Sequence, residues 1–463
     1  GLELVQANAE DEGGHYGSTS RSVREPLGSP SRRNRASGTA IEGYGASRVM
    51  TEYRIRSTSG CYRSARGPGP RPARVGATAS GDTAPVRIAI DARPASDAEP
   101  TGVGHYTRRM LQHLPNAMPM AELVAWHRPG GGAGIPRFPN LTEHVSRIPN
   151  VLEPVWRRLE VPRLERQIRF DALLATNFLP PPTRSEGVVL VVHDLAFEVM
   201  PEAGPGFGER WRRRFDGWLR RSAAVIVPSA SAKTDLLERH PIDETRVFVI
   251  AHGADPFERP PPDEIERVRE SFGIGGPFAL FLGGIEPRKN LRALVEAFAR
   301  IRDADPWLVI AGGRVRWAPK GVETLRAQVD DLPDDVRRRV VLTGYVTDEQ
   351  KRSLLAGATT LAYPSLYEGF GFPVLEGFAA GVPVLTSTAA SLPEVAGDAA
   401  ISVEPDDLGG IEDGLARLFR DAELRERLIT AGRARLPMFT WEGSAAATAE
   451  VLRGAAGRSA GSG

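Results

Sequence analysis

Cysteine is almost missing from this chain: Cys61 is the single one in 463 residues. That excludes an internal disulfide framework and a multi-cysteine metal site, and it fits a reducing compartment. Long apolar runs are missing as well. The longest, such as residues 188–192 and 223–227, fall far short of the ~18 residues of a membrane span. The N-terminus has no apolar stretch of the kind a secretory signal carries. The expected location is therefore cytoplasmic, with peripheral contact at the inner face of the plasma membrane left open. Excess charge is missing too: 59 basic residues meet 58 acidic ones, a net of +1. Such a balance gives no drive toward nucleic acid, and none is expected as a partner. Lysine is scarce, with only Lys233, Lys289, Lys320 and Lys351 among the basic residues. A lysine inside a motif therefore carries extra weight.

Residues 1–84 lack apolar periodicity. They are rich in Gly, Ser and Arg, with 12 Arg against 8 acids. Such a segment cannot bury enough apolar surface to offset the entropy of ordering, so a disordered extension is expected. From residue 86 onward, short apolar runs alternate with helical patterns. Strands are expected at 86–90, 123–126, 172–175, 188–192, 224–227 and 247–250. A proline-rich break at 256–263 reads as a linker. A second series follows, with strands at 278–282, 307–310, 340–342, 360–363 and 382–385. Near-continuous apolar strands alternating with helices indicate parallel sheets covered on both faces. The fold class is α/β. Two doubly wound domains are expected, at 85–258 and 259–437, followed by a last helix at 438–455 capped by Thr440. Such sheets bind ligands beyond the carboxyl ends of their strands, so two facing sheets make a cleft.

The richest motif is Glu368-Gly-Phe-Gly-Phe-Pro-Val-Leu-Glu376, which joins a strand to a helix. Gly369 and Gly371 free the loop of side-chain bulk around Phe370. Pro373 suits the first helical position and Glu376 the first helical turn. A glycine loop before a helix N-terminus is an anion site fit for phosphate. The flanking carboxylates can accept hydrogen bonds from sugar hydroxyls. A second strand-to-helix segment, Gly283-Gly-Ile-Glu-Pro-Arg-Lys-Asn290, offers Arg288 and Lys289 to a diphosphate. In the first domain, Thr101-Gly-Val-Gly-His-Tyr106 reads as a glycine loop entering a helix, and His193 ends a strand where the cleft should lie. Thr347 and Gln350 form a capping box signature. The Asp303-Ala-Asp305 string sits at the far edge and reads as a surface turn; no metal site is expected. In the helix at 207–221, Trp211, Phe215, Trp218 and Leu219 share one face. That face either docks on anionic lipid or faces the core behind a solvated basic side.

At these residues the chain resembles the retaining family 4 glycosyltransferases, also called group 1, and looks like their bacterial mannosyltransferases. Glu368 and Glu376 match the family's E-x7-E pattern and Lys289 its phosphate-binding lysine. His193 matches its first-domain histidine, and Gly102 and Gly104 its glycine loop. The resemblance covers roughly residues 86–455. It implies a glycosyltransferase-B fold of two Rossmann-like domains. It further implies transfer of a hexose, with mannose the first candidate, with retention of configuration, from GDP-mannose or a UDP-hexose to a glycan or lipid-linked saccharide. No cofactor is implied. The implied catalytic residues are Glu368, His193 and Lys289. The implied donor-binding residues are Arg288, Lys289, Gly344, Tyr345, Gly369, Phe370, Gly371 and Glu376. Gly102, Gly104, His105 and Tyr106 would lie on the acceptor side. The family often carries an arginine a turn before the lysine; Gly284 or Ile285 stands there instead, and Arg288 is the candidate replacement. Rival readings are a non-catalytic nucleotide-sugar binder or assembly protein, and an epimerase or phosphorylase of the same fold.

Overall fold

The structure is a computed structural model. It describes residues 85–460 apart from 97–100, 133, 201–208, 302–304, 314, 316, 317 and 319. The expected extension at 1–84 and Asp303 of the Asp-Ala-Asp string lie outside the described residues.

Two parallel sheets organise the chain. The first contains β1 (Arg87–Asp91), β2 (Glu122–His127), β3 (Leu141–Val145), β4 (Ala172–Ala175), β5 (Val188–Val191), β6 (Ala224–Val227) and β7 (Val247–Val249), in the order β3-β2-β1-β4-β5-β6-β7. The second contains β8 (Phe278–Leu282), β9 (Trp307–Ala311), β10 (Val340–Gly344), β11 (Thr360–Tyr363), β12 (Val384–Ser387) and β13 (Ala400–Val403), in the order β10-β9-β8-β11-β12-β13. Every pairing in both sheets is parallel. Each order reverses direction once, between β1 and β4 and between β8 and β11. At such a switch point the flanking connections run to opposite faces and leave a crevice at the strand ends.

Strand residues alternate between two apolar layers, as sheets covered on both faces require. In β1, Ile88 and Ile90 join one cluster and Ala89 joins the other. The helix Trp441–Ala460 follows the second sheet in sequence but packs on the first. Its Trp441, Ala445, Ala449 and Leu452 are buried with Met110, Leu114 and Leu174. Thr440 starts it by accepting from the Gly443 amide at 3.1 Å. The capping box at Thr347 is fully formed; such a cap is worth about 1 kcal/mol.

Several local expectations need correction. The segment 101–106 is not a loop: Gly102, Gly104, His105 and Tyr106 already belong to the helix Gly102–Ala117. Pro373 is the second residue of the helix Phe372–Ala380, and Glu376 lies in its second turn, not its first. The helix Glu209–Arg221 buries Phe215, Trp218 and Leu219 in the first domain's core, which removes the lipid-docking reading of that face.

Candidate active site at the facing strand ends

Two segments converge at the switch point of the second sheet. One follows β8 and carries Glu286, Arg288 and Lys289; the other follows β11 and carries Glu368. Lys289 is held in place by a short turn, Pro287–Lys289, closed by the Asn290 cap at φ 58°. Asn290 in turn donates to Pro364 O at 3.0 Å, and the Leu366 amide donates to Arg288 O at 2.8 Å. One side-chain and one backbone hydrogen bond thus lock the two loops together.

The side chains then form a buried ionic cluster. Lys289 Nζ lies 2.5 Å from Glu368 Oε1 and also meets the Tyr363 hydroxyl. Arg288 Nη1 lies 2.5 Å from Glu368 Oε2, and its Nη2 lies 2.8 Å from Glu286 Oε1. Tyr363 donates to Glu368 Oε1 at 2.7 Å. Two cations and two carboxylates balance to zero. Burial alone would raise the Glu368 carboxyl, but Arg288 and then Lys289 outweigh it and hold it at about 2. Burial lowers Lys289 below its ordinary value, and the neighbouring Arg288 adds to this. Burial acts against Arg288 as well, yet Glu368 and Glu286 keep it firmly charged.

The first domain closes over this cluster. Glycine is required at position 369 because a Cβ there would lie 1.8 Å from His193 O. Ser229 Oγ donates to Gly369 O at 2.8 Å, and the Tyr367 hydroxyl donates to Asp235 Oδ2 at 2.7 Å. Glu394 caps the helix Ala230–Arg239 from across the cleft, accepting from the Ala230 and Ser231 amides at 2.8 and 2.7 Å. Gly371, at φ 118°, turns the loop into the helix Phe372–Ala380, and Ser391 Oγ ties down Glu368 O and Phe370 O at 2.8 Å each.

His193 reaches the cleft from the end of β5. Its Nε2 faces Thr176 O at 2.9 Å; a carbonyl only accepts, so Nε2 carries the proton. Its Nδ1 faces His252 Nε2 at 3.4 Å, and His252 must donate there. That leaves His252 Nδ1 buried with no partner. Burial pushes both rings below the ordinary histidine value, His252 further with help from His193. His252 is boxed by aromatic rings, stacked on Phe372 at 5.2 Å and edge-on to Phe370 at 4.9 Å.

The remaining sequence candidates are spread out. Glu376 pairs with Lys351 Nζ at 2.9 Å and raises the lysine above its ordinary value. Gly344, at φ 71°, ends β10, and Tyr345 beyond it is exposed. On the acceptor side, Tyr106 is fully buried against His193 and His252 and offers no edge to a ligand. His105 pairs with Asp255 at 3.1 Å, an acid also held by Arg109 and by Trp441 Nε1. Gly102 is exposed and Gly104 buried. Sequence reasoning missed Glu286, Tyr363, Tyr367 and His252. His252 carried a signal, since it follows β7 as His193 follows β5. The Tyr367–Asp235 pairing had none, because only the closed cleft joins residues so far apart.

Among the described residues no group of acids, histidines or cysteines could hold a metal ion. No helix among them is long and apolar enough to cross a membrane.

Comparison with known proteins agrees with this geometry. Residues 264–435 match the family model described as glycosyl transferases group 1, and residues 100–257 match that of glycosyltransferase family 4. The chain is similar to the O-antigen chain mannosyltransferase B of Escherichia coli, 28% identical over 366 residues, spanning 74% of this chain and 93% of that protein. It is also similar to a serotype-specific mannosyltransferase, WbdA, of Escherichia coli, 27% identical over 267 residues; the match spans 56% of this chain and 32% of that protein. The fold is similar to that of Anabaena Alr3699/HepE, solved with UDP and glucose, with a TM-score of 0.63 at 17% identity over 79% of this chain and 99% of that one. Two family models in tandem, over two sheets that meet at their strand ends, place the chain in the group 1 glycosyltransferases, with their two-domain glycosyltransferase-B fold.

Proposed function

We propose that this glycosyltransferase moves a hexose, mannose first among the candidates, from a nucleotide-diphosphate donor to a glycan or lipid-linked saccharide with retention of configuration. The observation that carries the reading is the convergence of Arg288, Lys289 and Glu368 at the switch point of the second sheet, directly under the first domain. Mannose is favoured because relatives matched over much of this chain are named mannosyltransferases. The reaction would take place in the cytoplasm, where nucleotide sugars are made.

On this reading the donor diphosphate competes with Glu368 for the two cations. Once it enters, Lys289 and Arg288 turn from the carboxylates to the phosphates. Charge grows on the diphosphate as the sugar–oxygen bond breaks, and fixed cations in a site closed from water lower that barrier most. A diphosphate leaves readily, so no strong general acid is required. Glu368, released, accepts from sugar hydroxyls. His193, neutral and fixed by Thr176 and His252, positions the sugar. Glu376 holds the ribose hydroxyls. The acceptor enters from the first domain's strand ends, and the departing phosphate assists its deprotonation from the same face of the sugar, which retains configuration.

The test is a thermal-shift panel with GDP-mannose, UDP-glucose and related donors, followed by transfer of labelled sugar to candidate acceptors. A donor at 100 times its Kd should add about 2.7 kcal/mol of stability. Absence of both a shift and transfer with every nucleotide sugar would refute the reading.

A further inference from the structure

The short helix Glu153–Leu159 in the first domain is oriented against the usual rule. A surface helix normally buries its aliphatic side chains and exposes its charges. Here the charge points inward. Glu153 accepts from Arg93 Nη1 at 2.7 Å, Arg128 Nε at 2.7 Å and Arg157 Nε at 3.0 Å. Trp156 is the buried aromatic, packed on Trp126 and donating to Pro162 O at 2.6 Å. The aliphatic side chains point outward. Val151, Leu152, Val155, Leu159 and Val161 are all exposed, from 50% for Leu152 to 83% for Val151. Single exposed aliphatic residues are ordinary; five within eleven residues form a patch.

The patch is built rather than frayed. Arg93 is itself buried and bidentate on Asp91 at the end of β1, at 2.8 and 2.6 Å. The carboxyl of Glu153 is held at about 2, where burial would raise it but the Arg128 bond and Arg93 prevail. The helix is thus fixed to the strand-end rim of the first sheet by charge, and its apolar face is left for something else.

We infer that this face docks on an anionic lipid bilayer. Charge selects that occupant over a neutral protein surface. Between residues 147 and 169 there are six arginines and three acids, and each acid is already engaged. Glu153 is held as described, Glu160 by Arg214 at 3.3 Å, and Glu165 by Thr183 and the Arg184 and Ser185 amides. Arg158, Arg166 and Arg169 stay exposed in the same stretch as the aliphatic residues. Aliphatic residues entering the headgroup region, flanked by arginines toward anionic lipid, are the chemistry of interfacial binding. The rim position rests on the proposed function for its meaning: a saccharide on a lipid carrier would approach the first-domain half of the cleft from the bilayer that holds the enzyme.

The experiment is co-flotation of the full chain with phosphatidylcholine vesicles, with and without phosphatidylglycerol. Wild type should float with the anionic vesicles and release at high salt. The double variant Val155→Ser/Leu159→Ser should bind them at least ~10-fold more weakly, with an unchanged melting temperature and unchanged transfer to a water-soluble acceptor. Arg158→Glu/Arg166→Glu should lose the salt-sensitive part of binding. Wild type that stays in solution with anionic vesicles, or a double variant that binds as tightly, overturns the inference. So does a dimer that the double variant dissolves, which would assign the face to a second copy. Vesicle binding without transfer to any acceptor would instead refute the functional reading and leave the docking surface standing.

Discussion

Lys289 Nζ sits 2.5 Å from Glu368 Oε1, so the cation proposed to take a phosphate is already neutralised by a buried acid. On the proposed reading, Glu368 holds the place that the diphosphate would take. Lys289→Ala should lower kcat as well as weaken donor binding, by ~10²-fold or more in kcat/KM for a lost interaction of ~3 kcal/mol. Glu368→Gln should split the two effects. Losing one carboxylate leaves the cluster with a net positive charge, so the nucleoside diphosphate should bind several-fold more tightly by calorimetry while kcat falls. Weaker diphosphate binding by Glu368→Gln would show that Glu368 does not compete with the ligand.

The histidine pair gives the protein a pH dependence. His193 and His252 are both held below their ordinary value by burial. A group whose folded pKa is depressed stabilises the fold above its unfolded pKa, about 6.5 for histidine. That stability is lost as pH falls below this point, because the unfolded chain takes up protons the folded one refuses. The melting temperature should therefore decline as the solution is acidified from about pH 7. His252→Phe keeps a ring in the aromatic box and removes one titrating group, so its decline should be shallower. An equally steep decline would show that other groups set it.

Much of this architecture was legible in the sequence because buried parallel strands advertise themselves as unbroken apolar runs. The strands that escaped notice, β3 and β13, are edge strands. In β3 only Leu141 is buried, with Thr142, Glu143, His144 and Val145 half or fully exposed, so no apolar run marks it. The cations of the buried cluster, Arg288 and Lys289, were readable from their position after β8. Glu286 stood in the same segment, but its role depends on a side chain folding back on Arg288, which spacing does not encode. The loop expected at 101–106 failed for a similar reason. A Gly-Val-Gly string permits a loop, yet the Thr101 carbonyl accepts from the His105 amide and the helix simply starts there.

Gly369 marks how closely the two domains approach. Alanine there would set its Cβ against His193 O and the Asp194 side chain, and backbone cannot yield as a flexible side chain can. Gly369→Ala should hold the cleft open. Small-angle scattering should show a larger radius, and kcat should fall more than the overall fold is destabilised. Full activity with unchanged scattering would mean that the closed contact is dispensable for transfer.

Transfer should persist in EDTA. On the proposed reading, two cationic side chains and the loop at Gly369 to Gly371 take the role that a divalent ion plays for a departing diphosphate elsewhere. Complete loss of activity in chelator, restored by Mg²⁺ or Mn²⁺, would overturn that expectation.

Glu376 and Lys351 test the ribose side of the site separately from the phosphate side. Their 2.9 Å pair orients the carboxylate from the second turn of its helix. Bonds from a carboxylate to ribose hydroxyls are much the same in ground and transition states, because the ribose does not change during transfer. Interactions of that kind act on KM rather than kcat. Glu376→Gln should therefore raise the donor KM well above its effect on kcat, in contrast to Lys289→Ala. Lys351→Met should shift KM in the same direction by a smaller factor, since it loosens the carboxylate without removing it. Steady-state kinetics on the three variants with one donor decides the assignment. A fall in kcat for Glu376→Gln as large as that for Lys289→Ala would place Glu376 at the reacting bond instead of the ribose.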